Sequence, residues 1–194
     1  MPKLYIISGC NGSGKTTASY TLLPDLLNCR EFVNSDEFAK SLSPFDPGAA
    51  SVTASRYMLM KINYLLDKRA DFAVETTLAT RSLLKIVQQA QGLGYEATLL
   101  YLWLNSPELA IQRVRERVRT GGHNIPEAVV RRRYVMGLQY FFETYLPVID
   151  RWILADNSKP PFAIVAEGSK QVSYIKDSEK YRLIWNIAHP DDEL

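Results

Sequence analysis

Two cysteines in 194 residues leave no basis for a disulfide framework. Cys10 sits in a glycine-rich turn and Cys29 near the end of the helix expected after it. A reducing cytoplasm is the expected compartment. No apolar run approaches the ~20 residues a membrane-spanning helix needs. No signal-peptide pattern precedes the first strand, so no membrane partner is expected. The formal net charge of +2 is too small to argue for nucleic acid. Internal repeats, low-complexity tracts and linkers are also missing, which predicts one domain over 1–194.

What is present is an ordinary globular composition, 46% hydrophobic and 23% charged. Short apolar runs alternate with helical stretches. Strands are expected over Leu4–Ser8, Phe32–Asn34, Phe72–Val74, Ala97–Leu104 and Trp152–Ala155. Helices are expected over 15–27, 49–68, 82–93, 106–119, from 125 toward Pro147, and 178–188. Ser106-Pro107-Glu108 is a helix start with a capping serine, proline at the first helical position and acid in the first turn. Gly94 suits a helix C-terminus. Phe162–Glu167 and Gln171–Ile175 flank Gly168-Ser169 and predict a β-hairpin. Strands alternating with helices imply an α/β fold of three layers, a five-stranded parallel sheet covered on both faces. The hairpin and last helix, about 160–188, complete it.

Gly9-Cys10-Asn11-Gly12-Ser13-Gly14-Lys15-Thr16 has the G-x(4)-G-K-[ST] spacing of a phosphate-binding P-loop. It follows a strand and opens a helix, which is the context the motif requires. Gly9, Gly12 and Gly14 let the backbone wrap phosphate oxygens. The N–H groups of Asn11, Ser13 and the helix start, with Thr17, supply partial positive charge. Lys15 reaches the β- and γ-phosphates, and the Thr16 hydroxyl is a Mg²⁺ ligand. ATP and Mg²⁺ are the cofactors this pattern calls for.

Ligands in an open parallel sheet bind beyond the carboxyl ends of the strands. That rule nominates Asp36, Glu75, Thr77 and Asn105. Asp36 is the candidate base that accepts a proton from, or orients, an acceptor hydroxyl; its alternative is to cap the helix through Phe38-Ala39-Lys40. Glu75 is a candidate for holding Mg²⁺ or the acceptor, or else a buried carboxylate paired with an arginine. No clear Walker-B aspartate ends a strand of the usual apolar form: the strand ending at Leu104 runs into Asn105-Ser106-Pro107. The Asn-Lys-x-Asp base-reading motif is also missing. Both absences argue against motor ATPases and switch GTPases, and small-molecule kinases tolerate both.

Seven arginines (113, 115, 117, 119, 131, 132, 133) fall within 21 residues, opposed by Glu116 and Glu127. Arg113 and Arg117 share one helix face, Arg115 and Arg119 another. Arg131, Arg132 and Arg133 stand about 100° apart, so they cannot all face one site. With Gly121-Gly122 between the clusters, this segment reads as an arginine-rich helical lid, about 113–133. The alternative is a solvated basic face, and two to four of the seven are expected to serve the site. Arg117, Arg132 and Arg133 are the expected phosphate-facing residues, with His123 a further contact. Asn157, in Asp156-Asn157-Ser158, is a candidate nucleotide contact. Tyr134, Tyr140, Phe141, Phe142 and Tyr145 are expected to pack, not to stack on a base.

Taken in order, the P-loop, Val33-Asn34-Ser35-Asp36, Glu75-Thr76-Thr77-Leu78, Leu102 through Ala110, Gly121 through Glu127 and Asp156-Asn157-Ser158 resemble the zeta-toxin-like P-loop kinases, over about residues 3–167. The resemblance implies ATP- and Mg²⁺-dependent phosphorylation of a hydroxyl. It makes Lys15 a phosphate ligand, Asp36 the base, and Glu75 and Thr77 acceptor contacts. In true zeta toxins the acceptor is UDP-N-acetylglucosamine, and an antitoxin protein is the implied partner. The run Glu75-Thr76-Thr77-Leu78-Ala79 departs from the toxins' Glu-Gly-Thr-x-Arg type. Alanine stands where they carry a substrate-contacting arginine, and Arg81 lies two residues on. A different small alcohol is therefore the first alternative acceptor. Others are an ATP-binding regulatory or partner-binding protein with little turnover, and a kinase for a polynucleotide end, for which no stacking platform is evident.

Overall fold

The computed structural model describes residues 1–25, 27–122, 124–170 and 172–190. Its centre is a sheet of order β2-β3-β1-β4-β5-β6-β7. The strands are β1 (Lys3–Ser8), β2 (Glu31–Val33), β3 (Phe72–Thr76), β4 (Glu96–Trp103), β5 (Arg151–Asp156), β6 (Ala163–Ser169) and β7 (Ser173–Ile175). β1 to β5 run parallel, with Ile6 opposite both Val74 and Leu99. Burial on both faces explains their continuous apolar character.

The expected hairpin forms, but it extends the sheet instead of standing apart from it. β6 pairs antiparallel with β5, and β7 with β6, giving seven strands where five were expected. The physical reason is the open edge of β5, whose unpaired N–H and C=O groups accept another strand.

The helices are α1 (Lys15–Asp25), α2 (Ser35–Leu42), α3 (Ser51–Asp67), α4 (Ser82–Gly92), α5 (Pro107–Arg119), α6 (Glu127–Tyr140) and α7 (Ser178–Ala188). A π-helical turn, Phe141–Tyr145, continues α6. Ser106 Oγ accepts the Leu109 N–H at 3.1 Å, the cap its sequence predicts. Gly94, at φ +81°, follows α4 in the left-handed conformation that ends helices.

The two sheet faces bury alternate residues. Leu4, Ile6, Phe72, Val74, Leu99 and Tyr101 face α3 to α7. Tyr5, Ile7, Ala73, Leu100 and Leu102 face α1. A fully buried side chain such as Ile6 contributes about 1.5–3 kcal/mol relative to exposure. The aromatic stretch of α6 is core: Phe141 contacts Tyr101, Phe142 and Trp152, and Tyr134 donates to Leu104 O at 2.7 Å. Among the described residues, no helix is long and apolar enough to cross a membrane.

Candidate active site

The P-loop joins the end of central β1 to α1. Gly12 and Gly14 hold φ of +81° and +86°, which L side chains rarely adopt. A Cβ on Gly12 would meet Ala110 O at 2.5 Å, and one on Gly14 would meet Asn157 Nδ2 at 2.6 Å. Only glycine lets α5 and the β5–β6 loop close on the cradle. Lys15 is buried and donates from Nζ to Cys10 O at 2.9 Å. Asn157 Nδ2 donates to Ser13 O at 2.7 Å, tying the β5–β6 loop to the cradle. Arg113 holds the same loop through Asn157 O (3.0 Å) and Ser158 O (2.9 Å).

Two carboxylates face this cradle. Glu75, near the end of β3, accepts on Oε2 from Thr16 Oγ1 at 2.8 Å and from Asn34 Nδ2 at 2.9 Å. The acid on the P-loop hydroxyl thus comes from β3, next to β1, which accounts for the missing aspartate after β4. Burial raises the Glu75 carboxyl above its ordinary value, with Lys15 and the Thr16 hydrogen bond pulling it down. Burial lowers Lys15, opposed chiefly by Glu75.

Asp36 lies in the first turn of α2, and the capping role open to it is taken by Asn34. Asn34 Oδ1 accepts the N–H groups of Asp36 (2.8 Å) and Glu37 (3.4 Å). One buried side chain therefore caps the helix that carries Asp36 and, through its other end, holds Glu75. Sequence reasoning passed over Asn34. The available signal was an Asn before Ser-Asp-Glu, a cap followed by acids in the first turn.

A cavity of about 1070 Å³ opens over these groups. Asn11, Gly12, Gly14, Lys15, Thr16 and Thr17 form its floor. Asp36, Glu75, Thr77, Arg117, Arg133 and Asn157 stand on its wall. Gly9 and Ser13 lie behind the floor, Ser13 fully buried with its hydroxyl unpartnered among the described residues. Arg133 donates to Asn11 Oδ1 at 3.0 Å; burial lowers its guanidinium, and Asp36 pulls it back up.

Arg132, chosen from the sequence, stands exposed and outside the wall, while Arg113, passed over, is on it. The reason is helical phase: Arg133 takes the inward position on α6, and its neighbours turn away. Arg115 pairs with Glu127, and Arg131 with Glu108 at 2.6 Å, both at the surface between α5 and α6. Arg81 lies over the Tyr140 ring, 5.4 Å from its centroid, and is not part of the wall. Asn105 is exposed, its N–H bound to Ser158 Oγ. His123 lies outside the described residues.

Beside Thr77, buried Leu78 sits at φ +56°, a conformation costing a non-glycine residue about 1–3 kcal/mol. Such strain is held where the surroundings fix it, and here α6 does so. A Cβ on Gly137 would come 2.9 Å from Thr77 O. Cys10 and Cys29 are free and buried, both thiols pushed up to about 11 by burial. Neither is set up as a nucleophile.

Comparison with known proteins agrees with this architecture. An uncharacterised protein of Haemophilus influenzae is 30% identical over 132 residues, covering 68% of this chain and 92% of that protein. The AvrRxo1-ORF1:AvrRxo1-ORF2 complex with sulphate ions superposes with a TM-score of 0.79 at 18% identity, over all of this chain. This chain spans 66% of that one, so it is shorter than the structure it resembles. The same complex with ATP gives 0.73 at 18% identity, covering 100% of this chain and 65% of that one. The PezAT toxin–antitoxin system of Streptococcus pneumoniae gives 0.67 at 15% identity, over 100% of this chain and 80% of that one. These likenesses show a shared fold. The family model described as Zeta toxin matches residues 1–143 of 194. That span takes in the cradle, both carboxylates and all three arginines on the wall, and by it the chain belongs to the Zeta toxin family.

Proposed function

We propose that this protein transfers the γ-phosphate of ATP to a hydroxyl of a small molecule. The observation that carries the reading is that one cavity holds both the phosphate cradle and, across from it, the carboxylate of Asp36. Asp36 is engaged by no hydrogen bond to its carboxylate among the described residues, and it stands near enough to Lys15 and Arg133 to act on both electrostatically.

The strand order sets the two ends of the cavity apart. β1 is flanked by β3 on one side and by β4 and β5 on the other. Asn157, Pro160, Pro161 and Phe162 line the end beyond β5, where the nucleotide base would lie. Thr77, Leu83 and Ile86 line the end beyond β3, where the acceptor would lie. Between them Lys15, Arg117 and Arg133 face the phosphates. The acceptor oxygen bonds to the γ-phosphorus while the bond to the bridging oxygen of ADP breaks. Its electron pair leaves with ADP, and the acceptor's proton passes to Asp36.

Thr16 and Glu75 fit a Mg²⁺ site. They present a hydroxyl and a carboxylate oxygen already 2.8 Å apart. Among the described residues no three His, Cys, Asp or Glu side chains gather as a metal cage. This ion is usually held by one or two carboxylates together with water and phosphate. When bound it would neutralise charge on the phosphates.

ATP use draws support from the ATP complex of the AvrRxo1 pair. The test is incubation with γ-labelled ATP, Mg²⁺ and a panel of sugar nucleotides, nucleosides, small alcohols and oligonucleotides. UDP-N-acetylglucosamine, the acceptor implied by the family resemblance, belongs in that panel. Label in a small-molecule fraction supports the reading. ATP bound without transfer to any of them favours the regulatory alternative. An antitoxin partner is proposed from the same family likeness, PezAT being a toxin–antitoxin system. A co-expressed neighbour protein that binds this chain and stops transfer would support it.

A further inference from the structure

The acceptor end of the cavity carries apolar side chains from two helices. Met58 and Leu59 of α3 and Leu83 and Ile86 of α4 form its walls, with the hydroxyl-bearing Ser55 and Ser82 between them. Among the described residues the cations of the cavity are Lys15, Arg113, Arg117 and Arg133. Lys15 and Arg133 are bonded to the P-loop at Cys10 O and Asn11 Oδ1, and Arg113 to the β5–β6 loop. Arg117 adds to the positive field at Lys15. None of the four belongs to α3 or α4. The basic residues that α3 and α4 do carry, Arg56, Lys61 and Lys85, are not on the wall, and Arg81, just before α4, lies over the Tyr140 ring off the wall.

A pyrophosphate set against this surface would exchange water for methyl and methylene groups. An unpaired buried anion is strongly disfavoured, and phosphates are recognised by guanidinium forks, lysines or clustered N–H groups. Apolar walls with a few hydroxyls instead suit an uncharged molecule that has an apolar body and one or two oriented oxygens.

We propose, resting on the phosphotransferase reading above, that the acceptor is a neutral alcohol carrying an aromatic or branched aliphatic group, and not an anionic nucleotide sugar. Its apolar part would lie among Met58, Leu59, Leu83 and Ile86, with the reacting hydroxyl toward Asp36 and Thr77.

The four methionines make a direct test. The whole chain is labelled with methyl-¹³C methionine and loaded with a non-hydrolysable ATP analogue and Mg²⁺. Met58 lies on the wall; Met1, Met60 and Met136 do not and serve as controls. The resonance is assigned with Met58→Leu. Titrations use 2-phenylethanol, cyclohexylmethanol and 3-methylbutanol against UDP-N-acetylglucosamine. The expected result is movement of the Met58 methyl by at least one alcohol at a concentration ten or more times below that needed by the nucleotide sugar. The proposal is overturned if the nucleotide sugar moves Met58 at the lower concentration, or if none of the alcohols moves it.

Label transfer from ATP, measured separately, judges the phosphotransferase reading. A Met58 response to alcohols with no transfer to any hydroxyl would sink that reading and leave the apolar site standing as a binding site. Transfer to the nucleotide sugar in preference to the alcohols would sink the acceptor assignment and leave the kinase standing.

Discussion

At the residue scale, the cradle and its two carboxylates allow separate tests. Asp36→Asn keeps the α2 turn and its cap, because Asn34 provides the cap. Only the proposed proton acceptor is lost. Turnover should fall about 10²- to 10⁴-fold, the usual worth of general-base catalysis, with ATP affinity nearly unchanged. Rapid-quench measurement of transfer beside nucleotide binding checks this, and full turnover would remove Asp36 from the mechanism. Asn34 is the more demanding case. Asn34→Ser retains a helix cap but not the reach to Glu75 Oε2, so turnover and Mg²⁺ affinity should drop while thermal stability holds within about 1 kcal/mol. Equal loss of stability and activity would mean that Asn34 only holds the fold.

Glu75 adds a pH dependence of known sign. Its carboxyl is raised by burial, so in the metal-free protein it stays protonated above the ordinary carboxylate range. Through that window the folded chain carries more protons than the unfolded one, and its stability falls as pH rises. Mg²⁺ needs the ionised form. The apparent Mg²⁺ constant should therefore weaken as pH drops through a value above 4.5, the ordinary glutamate value. Glu75→Gln should remove the trend along with most of the activity. The P-loop, Asp36 and Glu75 were legible because each rests on a local signal, a motif or a strand end. The Thr16–Glu75–Asn34 chain was not, because it depends on β3 lying beside β1, and residues 16, 34 and 75 are distant in sequence.

At the scale of elements, the α5–turn–α6 segment shows how far helical periodicity reaches. Spacing put Arg113 and Arg117 on one face, and both stand on the wall. Spacing alone could not choose among 131, 132 and 133, because the phase of α6 is set by packing of Val130, Tyr134 and Leu138 against the sheet. Arg133, one residue before Tyr134, is thereby turned to Asn11. Arg133→Ala should lower turnover about 10²-fold or more, since arginines at a transferring phosphoryl group carry large effects. Arg132→Ala should change it less than about twofold, as exposed substitutions away from a site commonly do. Reversal of that order in steady-state kinetics would mean that the helix turns when substrate binds. The hairpin was visible from Gly168-Ser169, but its membership of the sheet was not, because only the finished β5 edge gives it a partner. The short helix α2 was legible only as a helix through Phe38-Ala39-Lys40, without bounds, since a strand ending and a capped helix beginning share Val33 to Ser35.

At the scale of the whole molecule, the two buried cysteines report on different regions. Cys10 lies in the phosphate cradle, and Cys29 follows α1 in the core on the opposite face from most helices. Both thiols are shifted from 9.0 to about 11, so at pH 8 ionisation alone makes each about 100-fold less reactive than a free cysteine. Exclusion of reagent slows labelling further, and what remains measures opening of the structure. Global unfolding exposes both thiols, whereas local opening of the cradle exposes Cys10 alone. A nucleotide at 100 times its Kd stabilises the folded chain by about 2.7 kcal/mol, which slows labelling through global unfolding about 100-fold at both positions. A ligand bound in the cradle also suppresses its local opening. Mass-spectrometric labelling in ATP and Mg²⁺ should therefore show Cys10 protected by a larger factor than Cys29. Protection of Cys29 without Cys10 would place the nucleotide elsewhere, because no ligand seated on Lys15 and Thr16 could leave Cys10, whose carbonyl accepts from Lys15 Nζ, free to open.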